Sequence, residues 1–163
     1  MKASSFCALL LSFLLLTTLS AISSIAQSSD LKADLQSSFT KVDVVRISSG
    51  SELRTVGDGK KLTVPAAGKS FELNVTLHDM RSPRYRAENT TVIGVTTMPS
   101  LPVNTFKGKI EGEPNSEVRL TIEGVKVEGF FEGAAGRLFI EPASKYSRFA
   151  EPGDSVIYRA EDS

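Results

Sequence analysis

Most of the chemistry that cysteine, histidine and tryptophan support is closed to this chain, which has one cysteine, one histidine and no tryptophan. The cysteine, Cys7, lies inside an apolar N-terminal stretch, so the rest of the chain carries no thiol. That excludes a disulfide, a thiolate nucleophile and a cysteine-based zinc site there. His78 stands alone in His78-Asp79-Met80-Arg81. A zinc site needs several ligands, and a histidine-activated nucleophile needs partners. No H-E-x-x-H pattern supplies them, so local hydrogen bonding at a strand end is the expectation for His78. An excess of one charge is lacking too: 19 basic side chains balance 19 acidic ones, with no basic stripe or long acidic run. Nucleic acid and strongly charged membrane surfaces are poor partners for such a chain. P-loop and dinucleotide fingerprints are absent, so the sequence predicts no cofactor, no metal and no catalytic set.

The first feature present is an export signal over residues 1–26. Lys2 supplies a positive start, Phe6 to Leu19 an apolar core, and Ser24-Ile25-Ala26 a small-residue end before Gln27. This order predicts cleavage between Ala26 and Gln27 and a secreted, periplasmic or extracellular product. The alternative is a membrane anchor. A span needs about 20 apolar residues, and this run is shorter and followed by Ser and Thr. Cleavage leaves no membrane span and about 137 residues, the size of one domain.

Residues 27–41 are polar and Ser-rich. Asp30 could cap a short helix with Leu31, Leu35 and Phe39 on one side. From residue 42 to 163 the period changes to two. Val42–Ile47 reads as a first strand. Glu52–Val56 and Lys61–Val64 flank the turn residues Gly57-Asp58-Gly59. Phe71, Leu73, Val75 and Leu77 alternate with polar residues, and Thr90–Thr96 is β-branched. Phe106–Ile110, Val118–Ile122, Val125–Val127 after a Glu123-Gly124 connection, Leu138–Ile140 and Ser155–Arg159 continue the pattern. Short alternating runs between turn residues predict an all-β fold, an antiparallel sandwich or barrel-like sheet pair of about eight to ten strands.

Few side chains stand out as candidate sites. Glu111, Glu113, Glu117, Glu123, Glu128, Glu132 and Glu141 include enough carboxylates for a glycosidase pair, but most alternate outward as solvated charges do. Phe130 and Phe139 interrupt the polar side of their strands. They form either an apolar contact for a partner or a patch covered by a loop or the N-terminal segment. Asn74-Val75-Thr76 and Asn89-Thr90-Thr91 are N-glycosylation sequons, used only in a cell that modifies them.

Thr105-Phe106-Lys107-Gly108, Gly112-Glu113-Pro114-Asn115-Ser116, Val118-Arg119-Leu120-Thr121-Ile122, Gly129-Phe130, Phe139-Ile140-Glu141-Pro142 and Val156-Ile157-Tyr158-Arg159 form an ordered series. With Phe71–Val75 and Ser82-Pro83-Arg84-Tyr85 upstream, it resembles the N-terminal propeptide of reprolysin/adamalysin-type zinc metalloproteases over about residues 68–160. The resemblance implies a β-rich prodomain that inhibits or helps fold a protease catalytic domain, in cis or in trans, and has no activity of its own. Many animal members place a propeptide cysteine on the zinc. Without one, inhibition here would be steric. No protease signature follows before Ser163, so the expectation is a truncated precursor or a module acting alone. A stand-alone extracellular or cell-envelope β-domain that binds a protein or ligand is the other reading.

Overall fold

A computed structural model describes residues 29–47 and 61–163. The signal segment with Ala26 and Gln27, the Glu52–Val56 strand and the Gly57-Asp58-Gly59 turn lie outside the described residues. Period-two alternation becomes ten strands: β1 (Asp43–Arg46), β2 (Lys61–Ala66), β3 (Lys69–Leu77), β4 (Ala87–Thr91), β5 (Gly94–Met98), β6 (Thr105–Ile110), β7 (Glu117–Glu123), β8 (Lys126–Gly133), β9 (Gly136–Pro142) and β10 (Asp154–Tyr158). The fold is all-β, as the alternation predicts.

Eight strands form one antiparallel sheet in the order β1-β10-β9-β8-β7-β6-β3-β2. Once β4 and β5 are set aside, neighbouring strands in this sheet are consecutive in the chain, except that β1 pairs with β10 and so joins the first described strand to the last. The Ala67 N–H at the end of β2 donates to Asp43 Oδ2 of β1 at 2.6 Å. The two outer strands therefore approach each other, and the sheet curls into a nearly closed barrel.

The barrel interior is filled by the inward set of the alternation. Leu62, Val64, Phe71, Leu73, Val118, Leu120, Phe131 and Ile140 are among its buried members. Each such side chain contributes about 1.5–3 kcal/mol relative to exposure. Two inward positions carry no side chain. At Gly108 and Gly129 an added Cβ would run into the backbone carbonyls of Asn74 and Arg119 on the adjacent strands. Glycine alone permits that close approach, and such kinks let a sheet coil shut.

A second, smaller core lies outside the barrel. A helix, α1 (29–38), packs Leu35, and Phe39 just after it, against Ala143 and Val156, with Tyr146 and Tyr158 alongside. Leu31, Leu35 and Phe39 share one side as their spacing predicts, but Asp30 lies within the helix rather than capping it. The Thr40 N–H donates to the Asp162 carbonyl at 2.7 Å and ties this segment to the C-terminal end.

Two expectations need correction. The strand predicted over Thr90–Thr96 is broken at Val92-Ile93 into β4 and β5, which pair only with each other. The β7–β8 connection is Gly124-Val125, one residue later than expected, with Gly124 at φ 61°.

Candidate functional site

The outer face of the barrel carries one continuous cross-strand row. Thr76 pairs with Lys107, Lys107 with Arg119, Arg119 with Phe130, Phe130 with Phe139, and Phe139 with Tyr158. The two sequence-predicted phenylalanines are thus neighbours, with ring centroids 6.4 Å apart. Both are half-buried. The Arg137 guanidinium lies 4.6 Å from the Phe130 ring centroid, and Phe139 stacks on Tyr158 at 5.6 Å. Phe39, from the N-terminal segment, then sits 4.7 Å from both Tyr158 and Tyr146. The row is therefore covered at its Tyr158 end and roofed by arginine at Phe130.

Glu141 organises the covered end. Tyr146 and Tyr158 donate their hydroxyls to its two oxygens at 2.9 and 3.0 Å, and Lys145 Nζ lies 3.1 Å away. Burial resists the carboxylate charge, but Lys145 and the two hydroxyls outweigh it and hold Glu141 below the ordinary glutamate range. Burial first, then the Tyr158 hydroxyl and the Glu141 charge, push the Tyr146 hydroxyl up. The two tyrosine rings pack around Phe39, the residue that follows α1.

Most of the other carboxylates named in the sequence also have structural roles. Glu117 pairs with Arg119, Glu132 with Arg137, Glu128 with Lys145, and Glu111 with Lys61. Glu113 Oε2 accepts the Ala134 N–H at 2.7 Å. Among the described residues, no three His, Cys, Asp or Glu side chains gather as a metal would require. His78 sits at the end of β3, where its backbone N–H and carbonyl bond to Thr105 across the sheet.

Exposed apolar surface gathers elsewhere. Among the described residues, the large exposed apolar side chains other than Val44 all lie between Leu77 and Leu101, in the excursion from β3 to β6. The β4–β5 hairpin forms the body of that excursion, and only Ala87 among its strand residues is even half-buried. Its two-residue tip, Val92-Ile93, is fully solvated, with Ile93 at 95% exposure. The neck is clamped. Arg81 binds Asp79 at 2.8 Å and also donates to the Leu101 carbonyl at 2.7 Å, joining the two ends of the excursion. Hydrogen bonds from the Arg81 side chain and backbone lower the Asp79 carboxyl to about 2. Composition and periodicity did not single out Val92 and Ile93. The available signal was Gly94, a turn residue inside an otherwise β-branched run.

The sequons divide along the same line. Both asparagines are exposed, but Asn74 lies in the main sheet and donates its amide to Glu111, whereas Asn89 lies on β4 of the hairpin. A groove of about 710 Å³ beside α1, lined by Leu31, Leu35, Phe39, Val42 and Val44, is a third surface feature. Among the described residues, no helix is long and apolar enough to cross a membrane. The chain matches no protein-family model and no curated protein sequence.

Proposed function

We propose that this chain is a noncatalytic, secreted, propeptide-like module that docks on a reprolysin-type zinc metalloprotease catalytic domain and blocks it sterically. The observation that carries this reading is the β3–β6 excursion. It presents a solvated apolar tip and free strand edges on a rigid barrel, the combination that protein partners use. The motif series supports it from the scaffold side. Gly108 and Gly129 occupy the two close strand approaches, Ser116 closes the β6–β7 turn by accepting the Ile110 N–H at 2.7 Å, and Glu141 with Tyr158 anchors α1. The resembled pattern therefore reads as a set of scaffold positions, and the excursion is the part free to make contact. A thiol plays no role, so affinity rests on shape and apolar area.

The test is a titration of a reprolysin-type catalytic domain with residues 27–163, which include every described element. Peptidase activity should fall as the module is added, and moderate salt should leave the effect in place because net charge is near zero. Val92→Asp with Ile93→Asp should weaken inhibition at least tenfold while leaving circular dichroism unchanged. Full activity at every module concentration rejects the inhibitory role and leaves a stand-alone binding domain as the reading.

A further inference from the structure

We infer that the edge of β5, unpaired among the described residues, is a self-association surface, on which a second copy of this chain adds its own β5 to build a four-stranded sheet. Strand edges are templates for pairing, and soluble proteins guard them with charge, proline or shortness. The main sheet follows that rule. Its edge strand β2 carries Lys61 and Pro65, and its other edge, β1, has four residues with Asp43 and Arg46 among them. Among the described residues, the edge of β5 has no such guard. Its sequence, Gly94-Val95-Thr96-Thr97-Met98, contains no charge and no proline, and every residue in it is exposed.

The absence of charge also selects the occupant. A strand that pairs with its own copy sets any charge it carries near its like, and like charges across a ladder destabilise it. An uncharged strand escapes this cost, whereas β4, with Glu88, does not. A foreign partner would draw register and specificity from complementary charge, and β5 offers none. Antiparallel pairing about Thr96, the middle residue, sets Thr96 opposite its copy, Val95 opposite Thr97 and Gly94 opposite Met98. The resulting contact is isologous and closes on itself. It also answers a weakness in the fold: a two-stranded hairpin is marginal in water, and three or more strands are needed for independent stability. The interface is small, so the association is weak and concentration-dependent. It does not depend on any protease partner.

Sedimentation of residues 27–163 from about 1 μM to about 1 mM, the range suited to a small interface, should show the mass rising from monomer to dimer. Val95→Lys with Thr97→Lys should keep the protein monomeric across that range with the thermal midpoint unchanged. Since these residues contain no other thiol, Thr96→Cys should form a disulfide-linked dimer on mild oxidation much faster than Glu88→Cys. A monomer at all concentrations overturns the proposal. So does a dimer that persists in the lysine variant, or equal cross-linking at residues 88 and 96.

Discussion

At Glu141 a single carboxylate serves Lys145 and the hydroxyls of Tyr146 and Tyr158. Together these groups hold the second core around Phe39. Removing the acceptor leaves two half-buried hydroxyls without their bond; a hydrogen bond to a charged group is worth about 1.5–3 kcal/mol, and water reaching the half-exposed hydroxyls recovers about half of each. Glu141→Ala should therefore lower unfolding stability by about 1.5–3 kcal/mol, measured by chemical denaturation. The pH dependence follows from the direction of the shift. The folded carboxyl lies below its unfolded value, so its contribution is complete above the ordinary glutamate range and is lost as pH falls through the folded value. Acid should release α1 before the barrel unfolds. A Glu141→Ala protein as stable as the parent at neutral pH would show that the dock contributes nothing. The sequence named Glu141 as one carboxylate among seven and as part of the Phe139-Ile140-Glu141-Pro142 motif, without a structural role. Its role depends on Tyr158, 17 residues away, and no local pattern predicts that pairing.

At the scale of elements, the strands on the barrel were the most legible. Phe71–Leu77, Phe106–Ile110 and Val118–Ile122 alternate because one side meets the core and the other meets water, and each falls within an observed strand. The hairpin was not legible for the same reason. With no side buried, β4 and β5 carry no alternation, and β-branched Val92 and Ile93 have none of the chemistry that marks a turn. Its geometry is held at the neck by Asp79 and Arg81. The Asp79 carboxyl should titrate near pH 2 by NMR, and Arg81→Gln should return it to the ordinary range near 3.8. The folded value is depressed, so the clamp is intact above the ordinary range and opens as pH falls through about 2. Amide exchange in 87–98 should quicken in the Arg81→Gln protein. An Asp79 midpoint near 3.8 in the parent chain would mean that the clamp does not form in solution.

At the scale of the whole molecule, the described residues form a nearly closed antiparallel barrel with a helix docked on its outside and a hairpin that pairs with no strand of the main sheet. Leu120, 3% exposed, points into the barrel from β7. Leu120→Ala should cost about 2–5 kcal/mol of stability, because the walls of a barrel cannot collapse fully onto the void. A loss near zero, measured by thermal or denaturant unfolding, would place Leu120 outside the core. The all-β class, the inward set and the lack of a cysteine pair were determined by the sequence itself, since composition and the period of hydrophobicity act locally and are readable in order. Closure was decided only in three dimensions. It rests on the approach of Gly108 to Asn74 and on the meeting of β1 with β2, contacts between segments distant in the chain, and on the close approach of Gly129 to Arg119 across the β7–β8 hairpin. The fate of the aromatics was decided there as well. The sequence left Phe130 and Phe139 open between a partner contact and a covered patch, and in the structure both are half-buried beside Arg137 and Tyr158, while Val92 and Ile93 are left in water because their hairpin, among the described residues, has no sheet to lie on.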